Sequence, residues 1–150
     1  MRFEPFKFRV VSKAVMSDIY SPEKRSLVMS RVKGTNTKPE IYVRSRLHAA
    51  GFRFRLHRKD LPGKPDIVLP KHRTVIFVHG CFWHQHTGCR KAALPKQNAD
   101  FWREKLQANV IRDEKNQNQL RKDGWKVRLI WECEMSSGVE DLIRELEQST

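Results

Sequence analysis

The spacing of apolar and polar residues divides the first half of the chain into helices and extended segments. A helix is predicted over residues 21–32, because a Ser-Pro-Glu start offers a capping hydroxyl and a proline at the first helical position. A second helix is predicted over residues 37–50, opened by the capping box Thr-Lys-Pro-Glu and ended by Gly51. Residues 52–56 alternate apolar and basic side chains, as a half-buried strand does.

Strands and helices also alternate in the second half of the chain, and some of them are longer. Residues 74–78 are β-branched and continuously apolar, which is typical of a central strand covered on both faces. Residues 79–98 look like loop, and a long helix follows with Trp102, Leu106 and Val110 on one apolar stripe. The remaining predicted elements are a strand at 67–69, the long helix at 99–121, a strand at 125–131 and a terminal helix at 139–147.

This order of elements predicts an α/β fold, in which helices flank a small mixed sheet. A chain of 150 residues fits one domain with a sizeable core. We assign residues 16–150 to that domain. Residues 1–15, upstream of a second methionine, are interpreted as an extension that is disordered or non-native.

Charge narrows the functional class. The chain has 30 Lys and Arg against 17 Asp and Glu, a net charge of +13, which favours a polyanionic partner such as nucleic acid over a merely basic soluble protein. No apolar run is long enough for a membrane span, and the first residues do not resemble a signal peptide. We therefore expect a cytoplasmic protein that acts without a membrane.

The three cysteines and the histidines near them suggest a metal site rather than disulfides. Cys81, His86, Cys89 and the distant Cys133 could form a closed tetrahedral Zn²⁺ site, structural in type. Spacing alone leaves His84 as a competitor of His86 for the fourth position.

Several single residues could carry chemistry, and each has a plainer interpretation. Asp66 follows Pro65 at a strand start, where a carboxylate could hold Mg²⁺ but is also common turn chemistry. His79 and His84 could transfer protons at a phosphate or lie at the surface. Glu40 occupies the glutamate position of a capping box, which by itself favours a cap.

Aromatic side chains offer a means of DNA contact. Phe82 and Trp83 lie in a polar loop, where apolar wedges that enter a base stack are plausible. Trp102 lies on a helix stripe, where a core position is at least as plausible.

Four segments together resemble the very-short-patch repair (Vsr) endonucleases, bacterial enzymes that nick DNA beside T:G mismatches. They are LPGKPDIV, TVIFVHGCFWHQH, NVIRD and LRKDGWKVRLIWEC, and the match runs from about Ser21 to Glu134. The resemblance implies a modified PD-(D/E)xK restriction-endonuclease-like fold with a zinc-bound loop. The Glu-x-Lys of the wider superfamily is absent after Asp66, as in this family.

The resemblance also implies a role for each matching residue. Asp66 matches the catalytic aspartate that binds Mg²⁺, and Glu40 matches an active-site glutamate, which reverses the cap-only interpretation. The other implied assignments are His79 and His84 as active-site histidines, Cys81, His86, Cys89 and Cys133 as zinc ligands, and Phe82, Trp83 and Trp102 as DNA wedges. Val78 stands where the family pattern has threonine, so it can serve the metal only through its main-chain carbonyl. The segment from His86 to Cys89 is one residue longer than in the family.

The sequence therefore predicts a monomeric bacterial endodeoxyribonuclease, associated with the nucleoid, that nicks T:G-mismatched duplexes with catalytic Mg²⁺ and structural Zn²⁺. A link to mismatch-repair proteins or to a cytosine methyltransferase is a further expectation. Two alternatives are a restriction-type or nonspecific nickase without a mismatch requirement, and a zinc-ordered DNA-binding module without catalysis.

Overall fold

The computed structural model describes residues 36–149, so the helix predicted over 21–32 and the boundary predicted at residue 16 lie outside the described residues. The described part of the chain forms two compact units. One contains Gly80–Val110 and is called the loop unit here. The other contains Lys38–His79 and the chain from Ile111 onward, and is called the sheet unit.

The sheet unit is built on four strands in the order β1-β2-β3-β4. Their bounds are β1 Arg55–Leu56, β2 Ile67–Leu69, β3 Thr74–His79 and β4 Lys126–Trp131. β1 and β2, and β2 and β3, pair antiparallel, whereas β3 and β4 pair parallel. The mixed sheet predicted from the sequence is confirmed. The first strand is shorter than the predicted 52–56 because only its last two residues form ladder bonds with β2.

Three α-helices accompany the sheet: α1 Lys38–Ala49, α2 Ala99–Lys122 and α3 Met135–Gln148. The first two agree with the sequence prediction to within about one residue at each end. α3 starts at Met135, not at the predicted residue 139. Gly138 can remain helical there because its missing side chain leaves room for Ile130, whose Cγ2 would lie 3.2 Å from an added Cβ. Short 3₁₀ helices cover Pro70–His72, Arg90–Ala92 and Glu132–Glu134.

The core of the sheet unit covers both faces of β3, as its continuous apolar sequence predicts. On one face Ile76 joins a cluster with α1 and α3 residues, including Val43, Leu47 and Leu142. On the other face Val75 and Phe77 pack with residues such as Leu120 and Val127. Because both faces are buried, a slip of one residue in the β3 register would exchange the two clusters, so the register is strongly specified.

This register brings chemically useful residues to one end of the sheet. Ile67 pairs with Ile76 across the antiparallel β2–β3 ladder, so the start of β2 lies beside the end of β3. His79 pairs with Trp131 in the parallel β3–β4 ladder. Asp66 and His79 therefore lie at the same end, one just before β2 and the other closing β3.

The loop unit has little regular structure before α2. Main-chain hydrogen bonds from His84 to Gly80 (3.2 Å), from His86 to Cys81 (2.9 Å) and from Cys89 to His86 (3.2 Å) fold its first part into successive turns. In the part of α2 that belongs to this unit, Trp102 and Leu106 are buried and Val110 is partly buried, which confirms the predicted stripe. Among the described helices, none combines the length and apolar character needed to cross a membrane.

The turn that leads to Asp66 depends on Gly63. Its φ of +74° is a left-handed conformation that costs other residues roughly 1–2 kcal/mol. A Cβ at this position would lie 3.0 Å from the Asn116 Cβ and 3.3 Å from the Phe77 ring. Gly51 has a similar φ of +89°, but an added Cβ there would meet nothing within 4 Å.

Comparison of Gly51 and Gly63 separates the effect of backbone strain on stability from the effect of side-chain crowding. We expect Gly51→Ala to lower the free energy of unfolding by about 1 kcal/mol, through backbone strain alone. Gly63→Ala should lose a further ~1–3 kcal/mol, on the order of other overpacking substitutions. Urea unfolding of both variants would measure this difference. Equal losses would show that Asn116 and Phe77 move aside at no cost.

Candidate active site and metal centres

Asp66 is held at the end of the sheet by the main chain of β3. Its Oδ2 accepts a hydrogen bond from the Val78 amide at 2.8 Å. The Val78 side chain meanwhile packs against the core cluster of Ile76. The Val78 amide thus contacts Asp66 while its side chain belongs to the core, and the role of its main-chain carbonyl at the metal stays a prediction.

Glu40 lies in the first turn of α1 and is buried, with 3% of its surface exposed. The Nε2 of His57 lies 3.0 Å from Glu40 Oε2. His57 also donates its main-chain N–H to the carbonyl oxygen of Asp66 at 3.2 Å. His57 therefore contacts both acidic residues, through the side chain of Glu40 and through the main chain of Asp66. A burial this deep is unusual for a glutamate that only caps a helix.

Together Glu40, His57 and Asp66 place one candidate ligand atom each within 4.8 Å of one another. The sequence analysis singled out Glu40 and Asp66 but missed His57. The sequence shows His57 only as a histidine that follows a predicted strand. In the antiparallel pair Leu56 lies opposite Ile67, so His57, which follows Leu56, lies beside Asp66, which precedes Ile67.

The electrostatics of this cluster favour a bound cation. Burial, together with the nearby charge of Glu40, raises the pKa of Asp66 to about 8, although the hydrogen bond from Val78 opposes the shift. Two carboxylates that share so small a space repel each other when both are ionised. A divalent cation would relieve that repulsion, and oxygen donors are the ligands that Mg²⁺ prefers. The donor set therefore fits such an ion, with Glu40 and Asp66 as the residues that would hold it.

His79 is a further predicted site residue of the sheet unit. It is buried, with 4% of its surface exposed, and its ring lies edge-on to Trp131 with centroids 5.2 Å apart. A ring nitrogen of His79 and a carboxylate oxygen of Asp113, on α2, lie within 4.8 Å of each other. Asp113 was missed as a site residue, although it ends the NVIRD segment that carries the resemblance. A carboxylate beside an imidazole fixes the ring orientation and the nitrogen that carries the proton.

The loop unit contains the candidate zinc ligands Cys81, His86 and Cys89, whose ligand atoms lie within 4.8 Å of one another. Cys81 is fully buried, and its Sγ lies 3.6 Å from His86 Nδ1. A tetrahedral Zn²⁺ ion with Zn–S bonds of about 2.3 Å and Zn–N bonds of about 2.0 Å would hold a sulfur and a nitrogen ligand about 3.5 Å apart. The three donors therefore fit zinc, with His86 rather than His84 as the imidazole.

Cys133 and His84 are the remaining predicted metal-site and active-site residues. Cys133 belongs to the sheet unit, on the 3₁₀ helix that follows β4, and is exposed. His84 belongs to the loop unit, where its side chain is partly buried. Their assignments as zinc ligand and active-site histidine continue to rest on the sequence resemblance.

The aromatic residues of the loop unit form one cluster. Ring centroids are 5.2 Å apart for Phe82 and Trp83, 5.6 Å for Phe82 and Trp102, and 6.0 Å for Trp83 and Trp102. Trp102 is 6% exposed and supports the two partly exposed rings, so its core position and its association with them are compatible. Phe101, which sequence reasoning missed, packs edge-on to Trp102 at 5.3 Å and is 60% exposed.

Comparison with known proteins gives a consistent result. Residues 17–91 match the family model of the DNA mismatch endonuclease Vsr. The DNA mismatch endonuclease Vsr of Escherichia coli is 39% identical over 118 residues, which cover 79% of this chain and 75% of that protein. The chain belongs to the Vsr family of DNA mismatch endonucleases.

Two further relatives are named as nicking enzymes. The type II nicking enzyme V.XorIIP of Xanthomonas oryzae pv. oryzae is 54% identical over 81% of this chain and 88% of its own length. The type II nicking enzyme V.NmeAIP of Neisseria meningitidis is 50% identical over 81% of this chain and 86% of its own length. As a member of this family, the chain is an endodeoxyribonuclease with DNA as its partner, so the alternative of a noncatalytic DNA-binding module is wrong. Its small mixed α/β fold fits a nuclease of this family.

The raised pKa of Asp66 predicts how stability depends on pH without added Mg²⁺. Its pKa is about 8 in the folded protein and about 3.9 for an unfolded aspartate. The neutral carboxyl therefore contributes stability that is fully present below about pH 4 and is lost as the pH rises through about 8. We expect the free energy of unfolding of the wild type to fall relative to that of Asp66→Asn between about pH 4 and about pH 8, measured by urea unfolding.

Asp60 provides a matched control with the opposite sign. Its exposed carboxylate accepts a hydrogen bond from Arg58, which lowers its pKa. The stability it contributes is present above the unfolded pKa and is lost as the pH falls, so Asp60→Asn should show no growing advantage toward about pH 8. A constant difference between wild type and Asp66→Asn across the range would contradict the burial of this carboxyl.

Proposed function

We propose that this Vsr protein nicks one strand of duplex DNA at a T:G mismatch, in a Mg²⁺-dependent hydrolysis centred on Asp66. The observation that carries the proposal is the group of Glu40, His57 and Asp66, whose candidate ligand atoms lie within 4.8 Å at the end of the sheet. In a mismatch endonuclease family, a buried carboxylate beside a partly buried one at such a position supports a cation-assisted attack on a phosphodiester.

The roles of the residues follow from their contacts. Mg²⁺, when bound, supplies positive charge that polarises the scissile phosphate. Asp66 is kept in place by the Val78 amide, which leaves its second carboxylate oxygen for other partners. Glu40 is fixed by the ring of His57 and can orient a water molecule. These contacts set the geometry before the substrate arrives, which lowers the cost of ordering it.

Proton transfer is assigned to the histidines. His79 lies beside Asp113, which can hold the imidazole in one orientation while the ring accepts or donates a proton at the phosphate. His84 is proposed as the second histidine on the basis of the HGCFWHQH segment. Cleavage of one strand then leaves a 5′-phosphate and a 3′-hydroxyl.

Recognition of the mismatch is assigned to the aromatic cluster and to the basic surface. Phe82 and Trp83 are partly exposed and packed on Trp102, so they are available as a firm wedge. Unstacking costs least at a weakened T:G pair, which gives such a wedge its selectivity. The net charge of +13 favours association with phosphates regardless of sequence.

Structural zinc is proposed at Cys81, His86 and Cys89, with Cys133 as the fourth ligand. Four protein ligands leave zinc no open position, so it would order the loop and take no part in hydrolysis. The four-stranded mixed sheet with helices supports the modified PD-(D/E)xK fold that the resemblance implies. A monomeric state, the location in the nucleoid and links to a cytosine methyltransferase or mismatch-repair proteins stay predictions of the sequence.

The alternative of a nickase without a mismatch requirement is favoured by one observation. Relatives that share about half of their residues with this chain are named as type II nicking enzymes, without reference to a mismatch. A direct comparison of matched and mismatched duplexes distinguishes the two activities.

The activity is tested with labelled duplexes that differ only in one T:G pair, incubated with Mg²⁺ and a scan of flanking sequences. We expect the wild type to nick the mismatched duplex alone. Asp66→Ala should lose about a thousandfold or more in rate, because it removes a charge that several kcal/mol of cation-assisted catalysis depend on.

Asp60→Ala is the matched control, since Asp60 has an exposed carboxylate that pairs with Arg58 and lies before the site in the chain. It should nick at the wild-type rate. Equal cutting of both duplexes by the wild type would favour the nonspecific nickase. Full activity of Asp66→Ala would remove Asp66 from the mechanism.

The zinc assignment predicts a loss of stability in Cys81→Ser. Because binding energy in a small metal site contributes to folding energy, we expect Tm to fall by about 10 °C and the zinc content to drop below about one per chain. A strong chelator should bring the wild type to the same Tm and leave the variant unchanged. A variant that keeps stoichiometric zinc and the wild-type Tm would contradict the assignment.

A further inference from the structure

The two carbonyl groups of the Phe82-Trp83 pair are both bound by side-chain amides within the loop unit. The Nε2 of Gln85 donates to the carbonyl oxygen of Phe82 at 2.7 Å. The Nδ2 of Asn109, on α2, donates to the carbonyl oxygen of Trp83 at 3.2 Å. The peptide units of both aromatic residues are therefore fixed by neighbours outside the pair.

Gln85 makes a second bond with the same nitrogen. Its Nε2 also donates to the carbonyl oxygen of Ala92 at 3.2 Å, so one amide group joins the aromatic turn to the 3₁₀ helix Arg90–Ala92. The main-chain N–H of Gln85 donates to the Phe82 carbonyl as well, at 3.3 Å. That single carbonyl thus receives two donors from one residue.

The backbone of Gln85 has a conformation that glutamine rarely adopts. Its φ of +51° lies in the left-handed region, where glycine or asparagine is the favoured residue. A glutamine at such a position is strained, and strain persists where surrounding interactions enforce it. The two bonds of the amide and the main-chain bond to Phe82 are interactions of this kind.

We propose that Gln85 is a positioning residue for mismatch recognition, which acts by fixing the orientation of Phe82 and Trp83 before DNA arrives. The packing of their rings on Trp102 restricts the side chains, and the amide of Gln85 restricts the main chain that carries them. A wedge that is already oriented loses less conformational freedom on binding. The inference rests on the proposed function of Phe82 and Trp83 as DNA contacts.

Two substitutions separate the amide from the backbone strain. Gln85→Met keeps the length and the strained φ but removes both donors, whereas Gln85→Gly removes the donors and relieves the strain. We expect each to weaken binding of the T:G duplex about tenfold, and to leave the affinity for the matched duplex unchanged. Fluorescence anisotropy without Mg²⁺ measures both affinities, and zinc content and Tm verify that the loop is intact.

A double-mutant cycle with Phe82→Ala tests whether Gln85 acts through the aromatic pair. In the Phe82→Ala background, Gln85→Met should cause a smaller further loss of mismatch affinity than it does in the wild type, because one of the two side chains that Gln85 positions is already absent. A general structural role would instead lower affinity by the same factor in both backgrounds. Gln119→Met is the control, since it removes an exposed amide that donates to Asp123 at 3.1 Å, and it should bind as the wild type does.

The outcomes distinguish failure of the proposed DNA contact from failure of the proposed role of Gln85. If Phe82→Ala binds the T:G duplex as tightly as the wild type, the proposed DNA contact fails and the role of Gln85 fails with it. If Phe82→Ala is impaired while Gln85→Met and Gln85→Gly bind normally, only the role of Gln85 is overturned. Equal losses on matched and mismatched duplexes would overturn it too.

Discussion

The structure of the sheet unit depends on keeping the buried carboxylate of Glu40 close to the partly buried carboxylate of Asp66. Glu40 is almost fully buried, and the burial of Asp66 and the charge of Glu40 together raise the pKa of Asp66 to about 8. The ionised form of Asp66 is therefore unfavourable at this position unless a cation is present. The remaining elements can be understood as the scaffold that maintains this arrangement.

The scaffold fixes the carboxylates through main-chain geometry and through the core. β3 is buried on both faces, so its register is set by two apolar clusters, and its Val78 amide reaches Asp66 from that fixed strand. α1 carries Glu40 in its first turn, and its Val43 and Leu47 join the core on the same helix. The positions of the two carboxylates are therefore supported by ordinary hydrophobic packing.

The sequence predicted most of this scaffold because its signals are local. The capping box at the start of α1, the apolar run of β3 and the stripe of α2 each express one element within a short window. The resemblance supplied Glu40, Asp66 and His79, which the structure places in the sheet unit. His57 and Asp113 were missed, because their relation to the site arises from strand pairing and from the position of α2, which no local pattern records. The early start of α3 was missed because Gly138 disfavours a helix until its contact with Ile130 is known.

The short first strand has a consequence for how the protein behaves in a crowded solution. β1 lies at the edge of the sheet, consists of Arg55 and Leu56 alone, and exposes both residues. An edge strand presents unpaired amide and carbonyl groups that another chain can extend into a larger sheet. A strand of two residues, one of them the charged Arg55, offers few such groups for a second chain to pair with. Among the described strands, growth of the sheet from the β1 edge is therefore disfavoured, and the longer edge strand β4 is the one that another chain could extend.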